Sequence, residues 1–361
     1  LIISVVLSNT NVGLSFIGNY EILLFIGITF TLFVSQGFLD SFNLLFEDAK
    51  NGSIFSVYLI SSIVSLILFG ILIGLESPIV RFLTSNSEIN FYTLYCIHLF
   101  FDFNTWLTPI FLLRKKHRRS LTSYAIIING AWILVVIIPA IFNWSLQFIF
   151  IGLIAVSLVK QFYLIGLLIK NSSTSIDWLW GINWLKKSVP FMGYALLGGF
   201  HLITDNWLVG HYFPGNKELF AIFRYGAREL PMSIIITSAF ATAAIPMLQN
   251  NSNSSLTEFK KKSSHLIQFL FLLAIFSTVF TKQIFAFIYG SAFDLSAHIF
   301  GVYLLVIISR VLILKPFIMT HNLNHWLVPI AISELLVNVV VSYFLVPILG
   351  ITGIAWGTVV A

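Results

Sequence analysis

Apolar residues in this chain neither alternate nor recur as narrow stripes. They run on, as at 54–75 and 265–281, long enough for a helix to cross a hydrocarbon core of about 30 Å. Taken in order, the runs predict the tail of a first helix over 1–8. Spans follow over 14–38, 54–75, 89–113, 121–139, 147–169, 189–210, 219–248, 265–288, 296–318 and 325–346, and GITGIAWGTVVA opens a twelfth. Polar stretches separate them: SNTNVG, 40–52, ESPIVRFLTSNSE, RKKHRR at 114–119, KNSSTSIDWLWGINWLKKS at 170–188, HYFPGNKE at 211–218 and QNNSNSSLTEFKKKSS at 249–264. Trp178, Trp180 and Trp184 suit a headgroup interface, with Lys186 and Lys187 on its water side.

The two halves of this pattern resemble each other. Leu14–Tyr20 and Leu219–Tyr225 both begin a long span after a short turn, and Ser87–Phe91 and Ser296–Phe300 open the fourth and tenth spans at nearly the same offset. Six spans is an even number, so the repeats would share one orientation. The expected fold is an all-α polytopic membrane protein with about 12 transmembrane helices. Its first half is 1–170 (six spans), a cytoplasmic linker is 171–188, and its second half is 189–361. The chain begins at Leu1 within one helix and ends at Ala361 within another, so both outer helices read as clipped.

Composition agrees. Of 361 residues, 58% are hydrophobic and 9% charged, too few charges to cover a soluble surface. The net charge of +6 sits in clusters between spans, which points to the positive-inside rule and away from a nucleic-acid partner. One set of alternate loops holds Lys50, the 114–119 cluster, Lys170, Lys186, Lys187, Lys260, Lys261, Lys262 and Lys315. The other holds Arg81 and Lys217. The first set is expected in the cytoplasm. A single cysteine, Cys96, leaves no intrachain disulfide. No phosphate-binding Gly loop or Ser/His/Asp set is present, so neither an ATP-driven motor, an enzyme nor a cofactor is expected.

Charges inside the spans carry the functional signal, because they are costly in lipid and face a bundle interior or wet cavity. Arg224 and Arg228 are four apart and project from one helix face within 219–248, where paired guanidinium groups suit a pyrophosphate. Glu21, Asp205 and Glu229 are their candidate partners, and Lys282 joins Arg224, Arg228, Glu21 and Asp205 as a candidate cavity residue. Asp102 is the deepest acid in the chain, suited to a proton or sodium ion or to pairing with Arg310. Under the repeat, Asp102 and Arg310 hold near-equivalent positions, each followed by a proline (Pro109, Pro316), and a pair between them would gate the cytoplasmic side. His321 and His325 are four apart but read as a polar turn rather than metal ligands, and no metal site is expected.

RYGARELP followed by an apolar run to AAIPML, with the opening LSNTNVGLSFIGNY and the late VPILGITGIAWGT, resembles the oligosaccharide flippases of the multidrug/oligosaccharidyl-lipid/polysaccharide exporter superfamily. That resemblance implies two six-helix lobes around a central cavity. It also implies a substrate of lipid-linked oligosaccharide of the polyprenyl pyrophosphate type, moved from the cytoplasmic to the outer leaflet of a bacterial inner membrane by alternating access. The coupling ion, H+ or Na+, stays open, and membrane lipids are the other partner. An ion-coupled exporter of amphipathic cations is the first rival, although it would want an acidic cavity. A membrane polysaccharide polymerase or glycosyltransferase is the second, although it would want a large catalytic loop.

The charge alternation predicts that, in a Cys96→Ser background on intact cells, an impermeant thiol reagent labels Lys217→Cys and spares Lys116→Cys. The opposite pattern would invert the topology.

Overall fold

A computed structural model of the chain describes residues 2–45, 53–85, 89–171, 176–230, 233–237, 240, 253–307 and 326–361. Among these, every regular element is helical: α1 Ile2–Ser8, α2 Gly13–Leu45, α3 Ser53–Gly74, α4 Glu76–Thr84, α5 Tyr92–Phe103, α6 Leu107–Arg114, α7 Arg118–Ile141, α8 Leu146–Asn171, α9 Trp178–Tyr212 and α10 Lys217–Gly226, then α11 Asn253–Val279, α12 Thr281–Tyr289, α13 Asp294–Tyr303, α14 Leu327–Leu349 and α15 Thr352–Val360. Among the described residues, 7 stretches are long and apolar enough to cross a membrane: Gly13–Phe42, Ile54–Gly74, Tyr92–Leu113, Arg118–Ile141, Leu146–Lys170, Thr257–Val279 and Val328–Leu349. Six of these match the expected spans closely, because continuous apolar runs of this length leave a backbone only helix as a way to satisfy its own polar groups in lipid; Thr257–Val279 starts and ends earlier than the expected 265–288.

The chain divides into two compact units, Leu1–Gly199 with Pro214–Glu218, and Phe200–Phe213 with Leu219–Ala361. The division falls within α9, whereas the sequence reading set it at the 171–188 link. That link is helical from Trp178 onward. Asp177 starts the helix, its carboxylate accepting the Trp180 backbone N–H at 3.0 Å while its own N–H donates to Ser56 Oγ at 2.7 Å. Gly181, Trp184 and Ser188, at helical spacing, then turn inward. Trp184 is fully buried, against Phe38 at 4.7 Å and stacked with Trp106 at 6.4 Å, so it is a core anchor and not an interface residue. Ser188 shares a 2.6 Å hydrogen bond with Ser41 on α2. Trp178 alone of the three is exposed.

Other boundaries moved for local reasons. The connection ESPIVRFLTSNSE contains α4, whose Ile79, Val80 and Leu83 are buried while Arg81 and Phe82 face out. The 249–264 stretch is helical from Asn253, with Glu258 paired to Lys262 at 2.7 Å one turn on. The expected span 265–288 breaks at Phe280, and α12 follows with Thr281, Phe285 and Tyr289 buried. A long apolar helix, a short amphipathic one and the next span thus occur as α3–α4–α5 in the first unit and as α11–α12–α13 in the second.

In the fourth span, one 3-10 turn, Asn104–Trp106, separates α5 from α6. It lies just ahead of Pro109, which lacks an N–H and crowds the Thr105 carbonyl. The loosened polar groups are collected by neighbours: Ser65 Oγ donates to the Phe100 carbonyl at 3.1 Å, and Asn104 exchanges bonds with Ser61 (2.6 Å) and Ser62 (3.0 Å).

Trp184→Ala is expected to cost about 3 kcal/mol, the low end for a buried Trp because the apolar unfolded state in lipid removes part of the transfer term. The melting temperature of purified protein in detergent should fall accordingly, and Trp178→Ala should leave it nearly unchanged. Equal melting points for both variants would remove Trp184 as the anchor.

Candidate functional site

The expected thirty-residue helix over 219–248 does not form as one piece. Helix α10 ends at Gly226, residues 227–230 are non-helical, and helix resumes at Ser233. Residues 241–252 lie outside the described residues. Gly226 is pressed against the second unit's core: a Cβ there would sit 2.6 Å from the Ser296 carbonyl oxygen and 2.7 Å from Ile299 Cβ. Beside it, Ser296 Oγ donates to the Ile222 carbonyl at 2.7 Å. Pro231 restricts Leu230 to extended backbone, so the chain has no helical route through this point.

This break separates the two arginines. They do not share one helix face; Arg224 stays in the last turn of α10 and Arg228 lies beyond its end. The Arg228 guanidinium folds back, with Nε donating to the Arg224 carbonyl at 2.9 Å and the group resting 4.8 Å from the Tyr225 ring centre. It therefore supplies the donor that the missing helical turn would have given, at the end of a helix whose dipole favours a cation. Both arginines are half-buried.

Asp205 lies on α9 and is 5% exposed. Asn338 Nδ2 on α14 donates to its Oδ1 at 2.9 Å, and Thr358 Oγ1 on α15 donates to Oδ2 at 2.6 Å. Tyr303, the last residue of α13, donates its hydroxyl to the same Oδ2. Ser342 Oγ donates to Asn338 Oδ1 at 3.3 Å. Four helices thus meet at one carboxylate. Gly353 and Gly357, four apart on α15, allow this approach: a Cβ at Gly353 would lie 2.6 Å from the Leu345 carbonyl carbon, and one at Gly357 would overlap Ser342 Oγ. The set offers hard oxygen donors (carboxylate, amide and hydroxyl), the chemistry that suits a proton or an alkali cation.

Asp102 has a different neighbour from the one expected. Its Oδ1 pairs with the Lys160 ammonium on α8 and accepts from Ser157 Oγ at 3.2 Å, while Ser157 Oγ also contacts His98 Nδ1 at 2.8 Å. Helix α8 packs directly beside α5, so a lysine one helix away meets the acid inside the first unit. Arg310 lies outside the described residues, as do His321 and His325. Glu21 is buried on α2, and Lys282 is exposed on α12.

Asp205 was visible in the sequence, but its partners Tyr303, Asn338 and Thr358 were not singled out. The available signals were Asn338 and Ser342 four apart in an otherwise apolar helix, and the small-residue pair Gly353 and Gly357 just before Thr358.

No family model and no curated protein sequence matches the chain. Among solved structures it is similar to the lipid II flippase MurJ in its inward closed conformation, with a TM-score of 0.75 and 16% identity over 99% of this chain and 82% of that one. It is also similar to the Vibrio cholerae MATE transporter VcmN, crystallised as a point mutant, with a TM-score of 0.50 and 13% identity over 99% of this chain and 90% of that one. Likeness at such identity establishes the fold. The chain is an all-α, multi-pass membrane protein whose fold is shared with the flippase MurJ and the MATE transporter VcmN.

Proposed function

We propose that this protein flips a lipid-linked oligosaccharide across a bacterial inner membrane by alternating access, with a polyprenyl pyrophosphate carrier as the anionic part of the substrate. The observation that carries this reading is the interrupted helix at Gly226, which places two guanidinium groups, Arg224 and Arg228, at a break in an otherwise apolar chain. Guanidinium forks match phosphate oxygens in parallel pairs, and broken helices are where transporters of several folds bind their substrates. The likeness to a lipid II flippase supports the same substrate class.

The oxygen set around Asp205 is assigned to the coupling ion, H+ or Na+. A carboxylate and hydroxyls from separate helices would be drawn together by a cation and released when it leaves, which gives the ion a differential grip on two conformations. The same buried acid, with the likeness to a MATE transporter, favours a second reading: ion-coupled export of amphipathic cations. The two readings differ in the sign of the cargo.

In proteoliposomes carrying a fluorescent polyprenyl pyrophosphate sugar, wild type should move the lipid between leaflets and should ignore cationic dyes. Arg224→Gln is expected to reduce flipping at least about tenfold at normal protein level, equivalent to about 1.4 kcal/mol. Arg228→Gln should also lower the melting temperature, through loss of the cap. Lys at either position should restore flipping only in part, since it lacks the planar fork. Asp205→Asn should remove stimulation by a sodium or proton gradient. Dye export without lipid movement would overturn the flippase reading, and full flipping in the double Gln variant would take the arginines out of it.

A further inference from the structure

The first unit carries an open cleft of about 440 Å³ between α2, the α5–α6 junction, α7 and α8. Thr31, Asp102, Trp106, Tyr124, Asn129 and Lys160 bring its polar and aromatic chemistry. Asp102 and Lys160 are the charged residues among its described lining, and they neutralise each other as an ion pair. A site for pyrophosphate would need excess positive charge, and a site for a lipophilic cation would need excess negative charge. This one has neither.

Its polar groups are nonetheless poised and incompletely used. Asp102 is bonded through Oδ1, and its Oδ2 has no hydrogen bond among the described residues, while its side chain is 36% exposed. Asn129 spends Nδ2 on the Ala125 carbonyl at 2.7 Å, leaving its Oδ1 to face outward from α7. Two aromatic rings stand nearby with one face already fixed. Trp106 is stacked on Trp184 and donates Nε1 to Ser61 Oγ at 3.4 Å, and Tyr124 is stacked on Tyr163 at 5.3 Å.

We propose that this cavity is a binding subsite for a neutral pyranose ring. The inference rests on the flippase reading and names where its cargo's sugar is gripped. A pyranose presents hydroxyls that both donate and accept, together with apolar C–H faces. Its hydroxyls would donate to Asp102 Oδ2 and Asn129 Oδ1 and accept from the Lys160 ammonium, which retains donors beyond the one spent on Asp102. Its C–H face would lie on the face of Tyr124 turned away from Tyr163, a ring whose orientation the stacking has already set. The volume falls within the usual range for small-molecule sites, about 300–1,000 Å³. The ion pair does two jobs: it makes a charge in the membrane tolerable, and it keeps the cavity neutral, so the ligand it selects is a polyol rather than an ion.

The test uses the full chain in lipid nanodiscs, with Ala125→Cys, on the cavity wall but without a polar side chain to lose, in a Cys96→Ser background, and follows maleimide alkylation. The probes are methyl glycosides of neutral hexoses, deoxyhexoses and N-acetylhexosamines, with inorganic pyrophosphate and tetraphenylphosphonium as charged comparators. At least one glycoside should slow alkylation about tenfold at saturation. Neither charged probe should do so, and a Lys260→Cys control on α11 should respond to none. Adding Asp102→Asn together with Lys160→Met, which removes both charges and leaves neither unpaired, should abolish the protection with the melting temperature near that of the parent. Equal rates with and without every glycoside would overturn the proposal, and so would slowing by tetraphenylphosphonium alone. Flipping by the same nanodisc protein, transferred to proteoliposomes, separates the two readings. Protection without flipping leaves the sugar site standing and removes the flippase, whereas flipping without protection removes the subsite alone.

Discussion

Hydrocarbon offers no hydrogen-bond partner, so each polar atom within a spanning segment must be met by another part of the protein, and every departure from regular helix has to be repaired from nearby. The repairs in this chain are specific. Where Pro109 disrupts the fourth span, hydroxyls of Ser61, Ser62 and Ser65 on α3 take up the Asn104 amide and the Phe100 carbonyl. Where α10 stops at Gly226, the side chain of Arg228 returns to bond the Arg224 carbonyl. Ser65 on α3 and an arginine beyond α10 thus serve as replacement backbone partners, while Ser61 and Ser62 hold the Asn104 side chain beside the turn. Their positions mark where a helix can be interrupted without a several-kcal/mol cost per orphaned group.

The same constraint acts on the two deep acids, with different outcomes. Asp102 is met by an ammonium, which cancels its charge within the first unit. Asp205 is met by hydroxyl and amide donors from α13, α14 and α15. An ion pair beside a cavity leaves a neutral, polar wall. A carboxylate held by two hydroxyls and an amide N–H from three other helices is a place where, under the proposed coupling, a cation's arrival or departure would alter how helices hold together. The proposed division of labour between sugar recognition and ion coupling follows from that difference in partners, and under the same proposal the arginines at the α10 break would meet the anionic part of the cargo.

Interrupted helices recur in both units. In each, a long apolar helix is followed by a short amphipathic one, α4 or α12, and then by a span with a 3-10 turn. The amphipathic helices bury Ile79, Val80 and Leu83 or Phe285 and Tyr289, and expose Arg81 with Phe82 or Lys282 with Phe287. An exposed cation next to an exposed aromatic ring suits the headgroup layer, where long basic side chains reach water and rings stay in the apolar margin.

By itself the sequence determined the class of protein and the positions of most spans among the described residues. Apolar runs of this length admit one backbone solution in lipid, and that solution does not depend on what packs against it. It also identified Arg224, Arg228, Asp102 and Asp205 as costly charges requiring an explanation. Only the tertiary structure decided what answers them. Lys160 is the ion-pair partner observed for Asp102, because α8 lies beside α5, while Arg310 lies outside the described residues. Tyr303, Asn338 and Thr358 converge on Asp205 because Gly353 and Gly357 let α15 press against α14, a contact between segments that no local pattern encodes. Trp184 shows the limit most plainly. Its neighbours Trp178, Lys186 and Lys187 give it the composition of an interface, yet its place on α9, one turn from Gly181 and Ser188, puts it in the core. Composition reports which environments a residue tolerates; the packing partner selects among them.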